Sequence, residues 1–493
     1  MSDALLLVAP VAVPLLAAAV AILLRTRPAA SEAFALSIFV AVLAMSVALL
    51  ARAVDGGALA ITVFGGWPSG FGVSFAARLP GVVLIVVTMT IAVAVAVYGH
   101  ATIGGRRRRA GHDALMLALI GAVNGAFLTN DLFNLYVWFE LALLAAIGLI
   151  TLDRRERQVG AAMRYATFGI VGATAILAGI GLFYGVAGTL DLGVLTARLA
   201  DSPPSVATAA AAALFVGGFA LKSGLVPLHV WLPAAYAPAP VSVAAAFAGL
   251  LTKMGFYALL LIAGGVFAIG AGGLGAAQML PVFGWIAGAT MLVCSLAALA
   301  QGDMRRLIGY HVVAQVGYMM AALALGTRAG VEAAVFYMIH SMIVQTNLFL
   351  GAGAIHRATG SWDLRTTGGM LKRNPAFCFL FAVPMLSLAG IPPFSGFWAK
   401  ILVFRGAIDA GATALLAAGV IAALLTIFSV AILWSASCWK DLRGRSARAV
   451  PLPMLLGMGL LSAATVAIGL MPGPVHIVAQ LSAAALGRIG MFG

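Results

Sequence analysis

The chain has 493 residues, of which 63% are hydrophobic and only 9% charged, and its mean hydropathy is +1.09. Soluble domains carry about 25% charged residues, so the composition excludes a water-soluble fold and points to a protein dissolved in lipid. In a soluble protein the net charge of +14 would suggest nucleic acid; here the positive charges sit mostly in short loops between apolar runs, so nucleic acid is not an expected partner.

A bilayer-spanning helix needs about 20 mostly apolar residues. Such runs cover roughly 3–24, 31–51, 79–98, 113–129, 131–151, 159–183, 205–235, 240–263, 280–300, 304–326, 329–356, 374–408, 411–438 and 452–471. The expected fold is all-α and integral to the membrane, with about 14 spans in a single transmembrane domain, 1–493. Only Asn130 and Asp131 separate the fourth run from the fifth. The first run has no basic region before it and no small-residue cleavage site, so it reads as a retained helix rather than a signal peptide. Residues 53–76 are Gly-rich with the alternating stretch LAITVF, which fits a short external hairpin. Residues 473–493 are apolar with one Arg and fit either a segment at the outer surface or a loosely ordered tail. Cys294, Cys378 and Cys438 are isolated in the sequence and have no metal-ligand spacing. They read as small buried apolar residues, and no metal is expected.

The loops give the orientation. Odd-numbered loops carry Arg25 and Arg27, Arg106 to Arg109, Arg154, Arg155 and Arg157, then Arg305 and Arg306. Further along they carry Arg357, Arg365, Lys372 and Arg373, and finally Lys440, Arg443, Arg445 and Arg448. The other loops and the tail carry only Arg52, Arg78, Arg198, Arg328, Arg405 and Arg488. This excess places the odd loops in the cytoplasm and both termini outside.

Three of the five lysines, Lys222, Lys253 and Lys400, fall inside apolar runs, and Glu140 lies mid-run in NDLFNLYVWFELALLAAIGLI. An ionised residue at the bilayer centre costs at least ~2.5–3.5 kcal/mol. Pairing, internal water or a change of protonation must offset that cost. Burial disfavours an ammonium and a nearby carboxylate favours it, so a lysine between the two influences can change charge near neutral pH, as a proton relay requires. Two plainer readings compete. Glu140 and Lys222 could form a static pair that fixes helix packing, and Lys400 or Lys253 could snorkel to the interface. His340, mid-run in VFYMIHSMIVQTNLFL, adds a relay group. His229 and His311, near breaks or run ends, are secondary candidates.

Two runs are interrupted. One reads ALKSGLVPLHVWLPAAYAPAP, with Pro227 and Pro233; the other reads LSLAGIPPFSGFWAKILVF, with Pro392 and Pro393. Proline removes a helical N–H and clashes with the preceding turn. Such breaks survive at membrane depth only when buried in protein or lining a polar cavity. Lys222 precedes its proline, whereas Lys400 follows its pair, and the broken runs, the seventh and twelfth, stand five apart. The opposite order is what inverted topology produces, which suggests two inverted five-helix repeats, runs 4–8 over 112–263 and runs 9–13 over 280–440.

From about residue 65 to 440 the chain resembles the antiporter-like subunits shared by Mrp-type Na⁺/H⁺ antiporters and the membrane arm of respiratory complex I. The stretches that carry the resemblance are NDLFNLYVWFE, LKSGLVPLHVWLPAAYAPAPVSVAAAFAGLLTKMGFYAL, DMRRLIGYHVVAQVGYM and LSLAGIPPFSGFWAK. NDLFNLYVWFE and Tyr236 in LPAAYAPAP, where complex I relatives usually have His, favour the D-type branch of the Mrp subunits. The resemblance implies a cell-membrane transporter subunit without bound cofactor, not an enzyme, assembled with other Mrp antiporter subunits. It also implies a central hydrophilic axis for protons, in which Glu140 pairs with Lys222 and Lys253, His340 and Lys400 follow. Gln345 stands where many D-type relatives have Lys, so a relay there would rely on His340 and water. The alternative is a proton-pumping membrane subunit of complex I or a related membrane hydrogenase, although the chain has no cluster or nucleotide motif. No carboxylate cluster resembles a Na⁺ site, so protons are the expected cargo, with Na⁺ handled partly or wholly elsewhere in the complex.

Overall fold

The computed structural model describes residues 3–54, 61–68, 70–200, 205–262, 276–442 and 447–487. Helices α1 (Asp3–Leu24) and α2 (Pro28–Val54) form an opening hairpin. Strand β1 (Ile61–Val63) then pairs antiparallel with β2 (Ser74–Ala76). This is the short hairpin expected over 53–76, of which residues 55–60 and 69 lie outside the described set. Helix α3 (Leu79–Thr102) starts with Pro80 in its first turn, where a missing N–H is harmless. The arginine run forms a short α4 (Gly105–Arg109).

Helices α5 (His112–Leu128) and α6 (Leu132–Ile150) are separate, because Asn130 and Asp131 do end the run. The Asp131 carboxylate accepts the Asn134 N–H at 2.7 Å and so caps α6. Behind this cap, Ser74 Oγ and Asn130 Nδ2 donate to Asp191 Oδ2 at 2.9 and 2.7 Å, and Arg78 donates to Asn130. That cluster ties β2 to the α5–α6 junction. Helices α7 (Glu156–Ala187), α8 (Leu192–Ala200) and α9 (Val206–Ser223) follow, then α10 (Trp231–Tyr236) and α11 (Val241–Ile262). The next set is α12 (Ala276–Leu299), α13 (Met304–Ala324), α14 (Arg328–Thr359), α15 (Met370–Arg373), α16 (Pro375–Ala389) and α17 (Ser395–Asp409). The chain closes with α18 (Thr413–Trp434), whose end winds into a π turn at Ser435–Trp439, then α19 (Leu452–Leu470) and α20 (Gly473–Gly487).

Twelve helices among the described residues are long and apolar enough to cross a membrane. The fourth expected run is the shorter α5, and the twelfth is α16 and α17 divided by a break, so each of the fourteen runs corresponds to helix. Residues 473–487 of the tail form a helix rather than loose chain, and His476 Nδ1 sits 3.0 Å from Glu332 Oε1 on α14. Arg443, Arg445 and Arg488 lie outside the described residues.

Burial sorts the helices into a core and a rim. The most apolar windows of α11 and α14 are 100% buried, against 28% for α2 and 33% for α18. A helix apolar all round belongs in an interior, and α11 and α14 occupy it. Exposed Leu144, Phe379 and Phe428 belong to the rim, where lipid is the solvent. The chain also repeats a local pattern. Helices α7 and α14 both have 32 residues, Asp131 and Asp303 both cap a helix, and isolated bridges join Asp131 to Asp191 and Asp303 to Asp363. Each aspartate of the second pair stands 172 positions after its counterpart.

Candidate functional site

Helix α6 presents Glu140, and the last turn of α9 presents Lys222. Lys222 Nζ donates to Glu140 Oε1 at 3.4 Å, and the two side chains are 9% and 28% exposed. The distance is long for a charge-assisted hydrogen bond, so the pair is loose. Lys222 also lies 5.5 Å from the Phe139 ring centroid. Two residues on, the helix stops at Gly224, whose left-handed φ of 73° suits a residue without Cβ. The carbonyl of Leu221, which also takes the Gly224 N–H, accepts the Trp231 indole N–H at 3.1 Å. Beside Lys222 lies a cavity with room for about one water, bounded by Tyr165, Leu221, Trp231, Leu251 and Met254. The broken end of α9 therefore faces α11.

Lys253 projects from α11 and is wholly buried; its Nζ donates to Ala248 O of its own helix at 2.7 Å. Lys400 on α17 is buried too, and its Nζ donates to Leu388 O at 3.0 Å and Ala389 O at 2.9 Å. Those carbonyls close α16, which stops at left-handed Gly390, φ 86°. They have no intrahelical partner, and the negative end of a helix favours a cation. Tyr318 offers its ring face to the same ammonium, 5.6 Å from the centroid. Neither lysine snorkels to the surface: burial and the backbone carbonyls hold both inside. Both helix breaks contain a cis X–Pro bond, Val226–Pro227 and Pro392–Pro393.

His340 lies on α14, with Nδ1 2.8 Å from Ser395 Oγ at the start of α17. Its ring stands edge-on to Tyr337 at 5.5 Å and lies within electrostatic reach of both Lys253 and Lys400. His340 therefore lies in electrostatic reach of both lysines, and Glu140 with Lys222 forms an ion pair of its own. His311 corrects the sequence reading: it sits well inside α13, fully buried, hydrogen-bonded to Ser429 of α18 and within electrostatic reach of Lys400. Gln345 Nε2 points at His311 O from 3.5 Å, a weak contact. His229 stays apart in the turn after Gly224, half-buried, its ring 6.3 Å from that of Tyr310. Cys378 and Cys438 are not isolated, because the fold brings their buried Sγ atoms to 3.3 Å.

Sequence reasoning missed a stacked tyrosine pair that touches both, Tyr337 against His340 and Tyr318 against Lys400. Tyr318 and Tyr337 stack at 5.4 Å, Tyr337 OH donates to Gln315, and Tyr318 OH donates to Gly419 O at 2.6 Å. His311, Gln315 and Tyr318 follow each other at helical spacings of four and three. That polar stripe on one face of an apolar helix was a legible signal.

The family model described as NADH:quinone oxidoreductase/Mrp antiporter, transmembrane, matches residues 129–426. The chain belongs to this family. Among its relatives, the D-type subunit of the Na⁺/H⁺ antiporter of Alkalihalophilus pseudofirmus is 31% identical over 88% of this chain and 87% of that protein. The antiporter protein of the same name from Bacillus subtilis is 31% identical over 76% of each chain. A chain in the structure of the Mrp complex from Dietzia sp. superposes with a TM-score of 0.90 at 28% identity, covering 98% of this chain and 97% of that one. The family match takes in both loose and tight parts of the site, from Glu140 through Lys400.

Proposed function

We propose that this chain is the proton-translocating subunit of a multisubunit Na⁺/H⁺ antiporter of the cell membrane, working beside other Mrp-type subunits. Protons move along Glu140, Lys222, Lys253, His340 and Lys400. The observation that carries the reading is the pair of lysines buried on α11 and α17, held by carbonyls with no carboxylate partner among the described residues, with His340 in reach of both. An imidazole in reach of two such amino groups is suited to pass a proton between them. Buried polar atoms of Ser223, Thr252, Ser341 and Gln345 have no hydrogen-bond partner among the described residues. Buried polar groups are ordinarily satisfied, so these positions favour internal water along the same route. The names of the relatives, D-type subunits of Na⁺/H⁺ antiporters, support this cargo and this setting.

The loose pair Glu140–Lys222 is the switch. Tightening it keeps Lys222 charged; loosening it lets the charge pass toward Lys253. The repeated helix lengths and aspartate bridges support two inverted five-helix units over 112–263 and 280–440, each with one broken helix. Sodium passes partly or wholly through other subunits. The test is antiport in membrane vesicles carrying the whole complex with Glu140→Gln or Lys222→Ala. Transport is expected to vanish while the complex still assembles; undiminished antiport in either variant would sink the assignment.

A further inference from the structure

A second cavity, of about 530 Å³, opens where α3, α7, α11, α13 and α14 end together. Val241 at its edge lies twelve residues along α11 from Lys253, about 18 Å of helix, and the lining has a different chemistry. Arg107, Arg155, Arg305 and Arg357 line it, against a single acid, Asp153. Arg107 is engaged by Asp153 through two contacts of 2.6 and 2.7 Å, and Arg305 by Asp303 at 2.6 Å while lying over the Trp362 ring. The guanidinium groups of Arg155 and Arg357 make no hydrogen bond or ion pair among the described residues and are exposed. The cavity floor is Pro240 and Val241, the start of α11. A helix of 22 residues therefore begins at the cavity, and its N-terminus adds positive potential there. One residue further in, Ser242 Oγ is buried without a partner among the described residues.

We infer that this vestibule is a binding site for a phosphate-type anion, either the headgroup of an acidic phospholipid or free phosphate. Planar guanidinium groups match the oxygens of a phosphate in two-point contacts, and a helix N-terminus adds donors and positive potential. The same field repels cations, so the vestibule is not a mouth for sodium. The site is independent of the proton axis: either can fail without the other.

The purified full-length chain, placed in nanodiscs of phosphatidylcholine with and without phosphatidylglycerol, provides the test. Retained phosphatidylglycerol is measured by lipid mass spectrometry, and binding of radiolabelled orthophosphate by equilibrium dialysis. Two variants accompany the wild type. Arg155→Gln with Arg357→Gln removes the unpaired cations from exposed positions. Gly104→Glu puts a carboxylate at the rim, where a side chain meets no neighbour. Binding of either probe by the wild type, weakened about tenfold in both variants, supports the site; which probe binds tells a lipid headgroup from a soluble anion. Absence of both, or equal binding in all three chains, overturns it.

Discussion

Lys222 and Lys400 are held by different means, a carboxylate in the first case and neutral carbonyls with an aromatic face in the second. The aromatic contribution can be isolated. Tyr318→Leu removes the ring facing Lys400, at a cost of about 0.5–2 kcal/mol to the ammonium, and is expected to shift the pH profile of antiport. Tyr318→Phe keeps the ring and loses only the bond to Gly419 O, so its profile stays near that of the wild type. Identical profiles for the Leu and Phe variants would refute the cation–π role. At the basic loops, a pair of hydrogen bonds from Arg107 holds the Asp153 carboxyl below the usual carboxylate range. A depressed folded value means this contribution is complete above about pH 4 and is lost as the pH falls through the folded value. Melts of wild type and Asp153→Asn should therefore differ at neutral pH and converge in acid. The charged members of the proposed axis were readable because charge is rare in apolar runs. Their partners were not: backbone carbonyls of Leu388 and Ala389 carry no sequence signature, and the contact between Cys378 and Cys438 arises only when α16 meets the end of α18.

At the level of helices, the two breaks can be compared through their glycines. A Cβ at Gly390 would lie 2.8 Å from Lys400 Cδ, whereas the nearest atom to one at Gly224 would be Leu232 Cδ1, at 3.2 Å. Both sites have left-handed backbone, so Gly→Ala should cost about 1–2 kcal/mol in stability at either. Gly390→Ala should in addition displace Lys400 and reduce antiport more than Gly224→Ala does, per unit of stability lost. Thermal unfolding and vesicle transport, measured on both variants, decide this; equal transport at equal stability would count against it. The breaks themselves were visible as Pro227 and Pro392–Pro393, and the Asn130–Asp131 stop as polar residues with capping chemistry. Helix α20 was not, because its order depends on lying against α14, where His476 meets Glu332.

For the molecule as a whole, the sequence expectation of fourteen crossings with the basic odd loops in the cytoplasm places both ends of the chain outside. Epitope tags at the two termini are expected to be reached by antibody on intact cells; a tag reached only after permeabilisation would break the proposed topology. The wrapping of α11 and α14 by the other helices bears on what can travel through the middle. Helices with no free face have nowhere to swing, so a cargo that needs a widening passage is poorly served there. A proton needs none: it is passed by exchanging bonds between fixed neighbours, and what crosses is a rearrangement of charge rather than a body with a radius.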